Sequence, residues 1–302
     1  MRVYHTPVLL REVLEALQVE EGKKYIDATL GGGGHTFEIL KAGGKVLGLD
    51  VDQDALDYVK NKITNYELRI KEESVVLSRG NFRDIDRFGR EQGFSNVNGI
   101  LFDLGVSSFQ LDSGEKGFSF TQGGPLDMRM DKDLSVRAAD LVNGLTKNEL
   151  ADLFTRLGEE RNAKQIAAQI VIAREKEKIE TTQRLVEVIE KAFGVTNEVV
   201  SDKRRAQMCM RVFQALRVAV NDELGVLKEA LPKALGLLAK NGRLVVITFH
   251  SLEDRIVKQT FLTFAQQHLG VIITKKPIIA TRQETKENRR SRSAKLRVFE
   301  KL

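Results

Sequence analysis

Short apolar runs alternate with amphipathic stretches over the first hundred residues of the chain. Four runs rich in Val, Ile and Leu have the length and composition of buried strands: 25–30, 45–52, 74–82 and 97–105. Between them, at 35–43 and 53–63 for example, apolar residues recur every three or four positions, as in helices that pack on a sheet. This alternation predicts a doubly wound, mostly parallel sheet.

The pattern changes after about residue 107 and becomes helical as far as about residue 240. Within this part, Thr146 and Glu149 have the spacing of a capping box. Strand patterns return at 242–250, followed by a helix with Ser251 as its predicted N-cap. Two last apolar runs, 271–277 and 295–301, are expected to pair antiparallel at the sheet edge.

The two ends of the chain therefore predict one α/β domain, made of residues 1–106 and 216–302. A mainly helical domain, inserted over residues 107–215, is expected to recognise the substrate. No internal repeat or low-complexity tract is present in the sequence.

Four consecutive glycines follow the first predicted strand, in the run DATLGGGGHT at 27–36. In an open parallel sheet this turn faces the crevice where ligands bind. The run lacks the lysine of a triphosphate-binding loop, and it lacks the third glycine of the dinucleotide fingerprint in either register. A nucleoside ligand without a pyrophosphate remains. S-adenosylmethionine fits because its amino-acid arm can lie against exposed backbone, which glycines allow a ligand to approach closely.

Acidic residues stand where the predicted strands end. Asp50 lies about 20 residues beyond the loop, where a carboxylate accepts hydrogen bonds from ribose hydroxyls. Asp52 competes for this role, and either acid could instead cap the next helix, an interpretation favoured for Asp52. Phe82 could pack on an adenine or in the core. Asp103 faces the same crevice, although acids at strand ends are also common helix caps.

Composition limits the class of protein. A chain of 302 residues with 42% hydrophobic content buries a large core. No run is long enough to cross a bilayer and no signal-peptide pattern opens the chain, so we expect a cytoplasmic protein without a membrane partner. One cysteine and four scattered histidines have no metal-ligand spacing, so no metal is expected. The oligomeric state is open, and a homodimer is compatible with the sequence.

The basic surplus is concentrated near the end of the chain. Residues 272–302 hold ten Lys or Arg against three Glu, whereas the rest of the chain is close to neutral. Such a segment favours a polyanion through phosphate contacts and counterion release. A solvated tail is the alternative interpretation.

Several longer motifs resemble one family over nearly the whole chain, in order. They are HTPVLL (5–10), DATLGGGGHT (27–36), GILFDLGVSSFQLD (99–112), GFSF with GGPLDMRMD (117–131), GEERNAKQIA (158–167), FQALRVAVNDEL (213–224) and GRLVVITFHSLEDRIVK (242–258). The chain resembles the bacterial ribosomal RNA small subunit methyltransferase H family. The resemblance implies the Rossmann-like fold of class I S-adenosylmethionine-dependent methyltransferases. It also implies methylation of the exocyclic N4 of one cytidine in the decoding region of 16S rRNA, within the small ribosomal subunit.

The resemblance also assigns residues. It implies cofactor contacts at Gly33, Gly34, His35, Asp50, Phe82, Asp103 and Gln110, and so favours Asp50 over Asp52. The chain departs from the usual family pattern at Ala28, Asn162, Arg289 and 207–211, none of which is among those contacts.

Methyl transfer from a sulfonium to nitrogen is an in-line displacement, which depends mainly on alignment. An acceptor for an N4 proton helps the cytosine amine to react, and we predict Asp103, or a group in 103–108, for this role with assistance from His250. A structural role for His250 is the alternative. Phe118 and Phe120 are predicted to stack a flipped cytosine, with Arg129 on a phosphate, although core packing is expected for at least one phenylalanine.

The basic residues Arg289, Arg290 and Arg292, with the cluster 203–205, are predicted to contact rRNA. Two other functions remain compatible with the sequence. One is methylation of another amine, in DNA cytosine or a protein, and the other is a non-catalytic ribosome assembly factor with a retained cofactor fold.

Overall fold

The computed structural model of the chain describes residues 7–64, 74–106, 116–195 and 200–302. The chain divides into two compact units, Met1–Ser107 with Leu224–Leu302 and Ser108–Glu223. We call these the α/β unit and the helical unit. The predicted boundary after residue 215 falls inside the helix Asp202–Asn221. The units divide just beyond that helix, because hydrogen bonds between successive turns keep a helix in one unit.

One eight-stranded sheet organises the α/β unit. Its strands are β1 (Lys24–Asp27), β2 (Lys45–Asp50), β3 (Val75–Arg79), β4 (Val97–Asp103), β5 (Leu238–Thr248), β6 (Gly270–Ile272), β7 (Ile278–Ile279) and β8 (Lys295–Lys301). The order is β3-β2-β1-β4-β5-β8-β6, and β7 also pairs with β8. The first five strands are parallel, which confirms the predicted doubly wound, mostly parallel α/β sheet.

Near the end of the chain, β8 pairs antiparallel with β5, β6 and β7. The pairing predicted for the last two apolar runs is confirmed as β6 with β8. However, β8 lies inside the sheet, between β5 and β6. Its first residue, Lys295, pairs with Thr248 at the last position of β5. Because β8 runs against the parallel strands, its amino end lies at their carboxyl edge.

The helices follow in chain order. They are α1 (Leu10–Leu17), α2 (Gly34–Lys41), α3 (Gln53–Thr64), α4 (Ile85–Glu91), α5 (Ala138–Gly144), α6 (Lys147–Gly158), α7 (Ala163–Lys176), α8 (Thr182–Ala192), α9 (Asp202–Asn221), α10 (Glu223–Leu237), α11 (Ser251–Gln266) and α12 (Arg282–Glu287). Two short 3-10 helices, Phe82–Asp84 and Arg289–Ser293, add to them. No helix in these described segments has the length and apolar content needed to cross a membrane.

The sheet separates two apolar cores because successive side chains of a strand point to opposite faces. In β5, Leu244 and Val246 join the core that contains α10 and α11. Val245 and Ile247 join the core that contains α1 and part of α2. Both faces are therefore covered, and ligands reach the sheet at its edges. The carboxyl edge of the parallel strands is the edge that carries the glycine loop.

The helical unit contains α5 to α9. The predicted capping box is confirmed, since Thr146 Oγ1 accepts from the Glu149 N–H and Glu149 accepts from the Thr146 N–H. The described part of this unit contains no strand, only an isolated bridge between Pro125 and Thr181. Gly158, at the end of α6, lies where an added Cβ would come within 2.5 Å of the Arg211 carbonyl oxygen. That glycine therefore allows α6 and α9 to pack closely.

Candidate active site

Three carboxyl groups lie at the carboxyl edge of adjacent strands. Asp27, Asp50 and Asp103 are the last residues of β1, β2 and β4. Neighbouring parallel strands end at the same edge, and β1 lies between β2 and β4. The fold therefore gathers three acids that are far apart in sequence. Asp50 and Asp103 were predicted site residues, whereas Asp27 was not, although its place at the end of a buried strand is the same signal.

Asp27 connects the glycine loop to its surroundings. Its side chain is buried, with 1% of the residue exposed. One carboxyl oxygen accepts from the Thr36 hydroxyl at 2.7 Å, and the other accepts from the Thr29 N–H at 3.2 Å. Thr29 Oγ1 in turn accepts from the Asp103 N–H at 2.7 Å. Asp27 and Thr29 thus link β1, the first turn of α2 and the end of β4.

The glycine loop fits tightly against its neighbours. Gly33 has a φ of +73°, which L side chains rarely adopt. An added Cβ at Gly33 would lie 2.8 Å from Val59 Cγ2, and one at Gly34 would lie 3.1 Å from the Pro7 ring. Gly33 therefore favours glycine both for its φ and for space, whereas a side chain at Gly34 would require a small shift of the Pro7 ring.

Asp50 and Asp52 have different roles in the structure. The two carboxyl oxygens of Asp50 accept from the N–H groups of Gly31 and Asp52, each at 2.8 Å. Asp52 Oδ1 accepts from the Asp54 N–H in the first turn of α3, as a helix cap does. The cap interpretation favoured for Asp52 is therefore confirmed. A carboxylate has about four acceptor positions, so Asp50 keeps capacity for a further donor.

His35 lies beside Asp103. Its Nε2 is 3.0 Å from the Val8 carbonyl oxygen, and because a carbonyl only accepts, Nε2 carries the proton. Its Nδ1 lies 3.7 Å from Asp103 Oδ2. The other carboxyl oxygen of Asp103, Oδ1, is buried and has no hydrogen-bond partner among the described residues. An unsatisfied buried oxygen of this kind is costly unless a ligand supplies a donor.

The pKa values of these carboxyls are perturbed together. Burial raises the pKa of Asp27 to about 6 and that of Asp50 to about 6, despite the hydrogen bonds they accept. Burial raises the pKa of Asp103 well above its usual range, and the negative charges of Asp27 and Glu253 raise it further. A cation placed among these groups favours their ionised forms. The site is therefore electrostatically suited to a positively charged ligand.

The N-cap of α11 is His250, and not Ser251 as predicted. The Nδ1 of His250 accepts from the Glu253 N–H at 3.4 Å. Glu253 is 2% exposed, and its Oε2 accepts from the N–H groups of Phe249 and His250 at 2.8 and 3.2 Å. His250 Nε2 lies 3.2 Å from Glu253 Oε1. The structural role that the sequence offered as the alternative for His250 is present, and its part in catalysis stays a prediction.

Phe82 follows β3 and lies in the 3-10 helix Phe82–Asp84. Its ring meets Phe102 edge to face, with centroids 5.4 Å apart, and it packs at the border of the core. The residue is only partly buried. Contact with adenine stays a prediction. Gln110, the other predicted cofactor residue in this part of the chain, lies outside the described residues.

This edge fits S-adenosylmethionine on three observations. The loop at Gly33 and Gly34 has no side chains beyond hydrogen and little room for them, and so presents its backbone. Asp103 Oδ1 is a buried acceptor in need of a donor, which the cofactor's ammonium group can supply. The gathered carboxyls suit a ligand that carries a sulfonium and an ammonium charge.

The predicted substrate residues of the helical unit are in structural contacts. Phe118 is 6% exposed, which agrees with the core packing expected for at least one phenylalanine. Phe120 meets Phe213 edge to face, with centroids 5.8 Å apart. The Arg129 guanidinium makes two hydrogen bonds to the Asp127 carboxylate, at 2.7 and 2.9 Å, and binds two carbonyls of its own loop. Their contacts with RNA stay predictions.

The predicted RNA-binding arginines share one short element. Arg289, Arg290 and Arg292 lie in the 3-10 helix that directly precedes β8. Arg289 and Arg292 are exposed and Arg290 is partly buried. Because β8 begins at the carboxyl edge of the parallel strands, this helix lies toward the edge that holds the acidic cluster. In the cluster 203–205, Arg205 pairs with Glu190 at 2.9 Å, whereas Lys203 and Arg204 are exposed.

The chain is similar to known proteins over its whole length. The sequence model of the MraW methylase family matches residues 2–302. A protein of Carboxydothermus hydrogenoformans named Ribosomal RNA small subunit methyltransferase H is 44% identical over 318 residues, covering 100% of this chain and 99% of the relative. One of the same name from Symbiobacterium thermophilum is 44% identical over 320 residues, covering 100% and 98%. A crystal structure of an rRNA methylase from Streptococcus thermophilus superposes over 98% of both chains, with 12% identity and a TM-score of 0.47.

Proposed function

We propose that this chain, which belongs to the MraW methylase family of S-adenosylmethionine-dependent methyltransferases, methylates 16S rRNA of the small ribosomal subunit. The acceptor we propose is the exocyclic N4 of one cytidine in the decoding region. Whole-length identity of 44% to proteins named for ribosomal RNA small subunit methylation supports the substrate class. The observation that carries the chemistry is the buried, unpartnered Asp103 Oδ1 at the glycine-loop edge.

Residues of the carboxyl edge would hold the cofactor. Gly33 and Gly34 present backbone to its amino-acid arm, and Asp50 accepts from the ribose hydroxyls. Phe82 lies against the adenine. Asp103, beside His35, accepts from the ammonium group. When bound, S-adenosylmethionine supplies a methyl group activated by a sulfonium.

Asp103 is also the proposed proton acceptor. An N4 nitrogen that received the methyl group would carry one proton too many and would have to lose it. The Asp103 carboxylate takes that proton. Burial raises the pKa of Asp103 in the ligand-free protein, and a cation bound beside it favours the ionised form, which is the form that accepts a proton.

His250 is proposed to assist from the amino end of α11. Its Nε2 carries the proton when Nδ1 accepts the cap hydrogen bond, and this N–H lies beside Glu253. His250→Ala tests the assignment. We expect cofactor affinity to stay near the wild-type value and methylation to fall at least tenfold. Near-normal methylation with normal cofactor affinity removes His250 from the mechanism.

RNA binding is proposed to rest on charge and on stacking. The arginines 289, 290 and 292, with Lys203 and Arg204, supply phosphate contacts that weaken as salt rises. Phe118, Phe120 and Arg129 of the helical unit are proposed to receive the flipped cytosine and a flanking phosphate.

The acceptor is identified by one experiment. The protein is incubated with S-adenosylmethionine labelled in its methyl group and, separately, with unmethylated small subunits, protein-free 16S rRNA and DNA. The labelled nucleoside is then mapped by mass spectrometry. We expect N4-methylcytidine at a single site in 16S rRNA. Label in DNA or in the protein fraction contradicts the proposed acceptor, and no transfer to any substrate indicates a non-catalytic assembly factor.

A further inference from the structure

We propose that the segment Pro7–Leu9 couples the cofactor loop to the basic segment, which we define as residues 281–293, and that Glu284 is the positioning residue of this coupling. The inference rests on the proposed function, because it takes the two ligands to be S-adenosylmethionine and rRNA. It adds that each ligand raises the affinity of the protein for the other.

The first half of the link joins the cofactor loop to Pro7–Leu9. His35 donates from Nε2 to the Val8 carbonyl oxygen at 3.0 Å, and both residues are buried. The Pro7 ring lies 3.1 Å from the position of an added Cβ at Gly34. A ligand that orders the loop therefore orders Pro7–Leu9 as well.

The second half joins Pro7–Leu9 to the basic segment. The Leu9 N–H donates to Glu284 Oε1 at 2.8 Å, across 275 positions of sequence. Leu9 is fully buried and has a φ of +53°, a left-handed conformation that is strained for a non-glycine residue. Such a conformation persists only where the surroundings hold it. The Glu284 carboxylate is one of the groups that do so.

The basic segment is folded, so that the position of Glu284 determines the position of its arginines. Thr281 caps α12 by accepting from the Glu284 N–H at 3.1 Å. Asn288 accepts from the Arg290 N–H at 3.2 Å. Ser291, between two of the arginines, is fully buried and donates to the Asn288 carbonyl at 2.8 Å. The sequence left a solvated tail as an alternative, and these contacts contradict it for this segment.

The sheet places the two ligand sites on one edge. Asp103 of β4 pairs with Ile247 of β5, and the next residue, Thr248, pairs with Lys295. Adjacent strands are about 4.8 Å apart. The basic segment thus ends two strands away from Asp103, close enough for RNA held there to present a nucleotide to the cofactor edge.

A carboxylate in a basic segment is otherwise unfavourable for binding a polyanion. Removing Glu284 deletes a negative charge and by electrostatics alone would strengthen RNA binding. If Glu284 positions the basic segment through Leu9, its removal should instead weaken RNA binding in the presence of cofactor. The two explanations therefore predict changes of opposite sign in RNA affinity.

The experiment measures the affinity of the full chain for unmethylated small subunits, and for protein-free 16S rRNA, with and without S-adenosylhomocysteine, which prevents turnover. We expect the cofactor product to tighten wild-type binding at least fivefold. Glu284→Ala should reduce this ratio to about 1. Glu284→Gln keeps an oxygen acceptor for the Leu9 N–H and should restore most of the ratio.

Glu287→Ala is the matched control. Glu287 lies on the same helix, is exposed and bonds only to Gln283 among the contacts described for it, so its loss changes the charge equally without touching Leu9. We expect its ratio to equal that of the wild type. S-adenosylhomocysteine affinity without RNA should stay within about twofold in all variants, which also shows that they fold.

A Glu284→Ala protein with the wild-type ratio overturns the inference while leaving the proposed function intact. The same holds if S-adenosylhomocysteine does not change the RNA affinity of the wild type. A wild type that binds S-adenosylhomocysteine but binds neither small subunits nor 16S rRNA contradicts the proposed function and the inference together. Amide hydrogen exchange on the wild type gives a second readout: S-adenosylhomocysteine should slow exchange in 281–293. Unchanged exchange there contradicts the coupling.

Discussion

The carboxylate of Asp27 accepts a hydrogen bond from the hydroxyl of Thr36 at 2.7 Å, across the glycine loop that separates them. Both residues are buried, so the bond forms away from water and holds the end of β1 to the first turn of α2. The loop between them is therefore fixed at both ends. Without this bond the amino end of α2 would be released, and a ligand would have to order more of the loop when it binds.

Thr36→Val tests this bond. The substitution keeps the shape of the side chain and removes the donor to a buried carboxylate, at a cost of about 1–3 kcal/mol in unfolding free energy. We expect S-adenosylhomocysteine affinity, measured by calorimetry, to fall about tenfold. Thr155→Val is the control, because the hydroxyl of Thr155 is exposed and binds a carbonyl in its own helix. Equal affinities of the two variants would contradict the role of the bond.

Gly33→Ala should impair cofactor binding more than Gly22→Ala. Both residues have positive φ, +73° and +75°, so alanine strains the backbone at each by roughly 1 kcal/mol. Only at Gly33 does the added Cβ meet Val59, at 2.8 Å, while nothing lies within 4 Å at Gly22. We expect S-adenosylhomocysteine affinity to fall at least tenfold in the first variant and to stay unchanged in the second. Similar losses of affinity in both variants would contradict a role for the contact with Val59 and would leave the positive φ as the cause.

The free energy of unfolding of the cofactor-free protein should depend on pH because of its buried acids. The folded-state pKa values of Asp27 and Asp50 are about 6, above the ordinary 3.8, so the folded state binds their protons more tightly than the unfolded state. Their contribution to the free energy of unfolding is therefore present at low pH and is lost as the pH rises from about 4 to about 6.

Asp50→Asn removes the titration of Asp50. The free energy of unfolding of this variant, relative to that of the wild type, should increase by about 3 kcal/mol between pH 4 and pH 7.5, as measured by urea denaturation. Glu149→Gln is the control with the opposite sign, because hydrogen bonds from Thr146 lower the pKa of Glu149. A difference between Asp50→Asn and wild type that does not vary with pH would refute the raised pKa.

Asp254 holds α11 to β8 through a buried ion pair. It accepts from Arg297 Nε at 2.6 Å and from Lys295 Nζ at 3.2 Å, and the Arg297 side chain is only 8% exposed. Asp254→Ala leaves a buried guanidinium without its carboxylate, which should lower the free energy of unfolding by about 3–5 kcal/mol. Asp152→Ala breaks an exposed pair with Arg156 and should cost less than about 1 kcal/mol. Urea unfolding curves that give equal losses would contradict this difference.

Replacing Arg289, Arg290 and Arg292 with glutamine should weaken rRNA binding and reduce its salt dependence, by roughly one unit of slope for each lost phosphate contact. Cofactor affinity should not change. The control removes three lysines at the amino end of the sheet, Lys23, Lys45 and Lys240, which are exposed. It changes the net charge equally at the opposite edge. Unchanged RNA affinity in the arginine variant, or equal loss in both, would contradict the assignment.

The sequence by itself determined the elements and the ligand class of the site. Strands β1 to β4 and the helices after β1 and β2 follow from local apolar periodicity, which each segment carries independently of the rest. The acids at the ends of β2 and β4 follow from the rule that neighbouring parallel strands end at one edge. The boundary of the helical unit was less accurate, because periodicity inside a long helix gives no sign of where a unit ends.

Only the tertiary structure decided which groups meet. Asp27 was recognisable as a strand end. Its link to Asp103 runs through Thr29, however, and Thr29 and Asp103 are 74 positions apart in the sequence. The cap role of His250 depends on Glu253 turning inward to a buried position. The bond from Leu9 to Glu284 joins opposite ends of the chain, and β8 enters the sheet beside β5 in the antiparallel direction. Local patterns specify local geometry, whereas these contacts depend on strand order and direction, which the packing of the whole sheet determines.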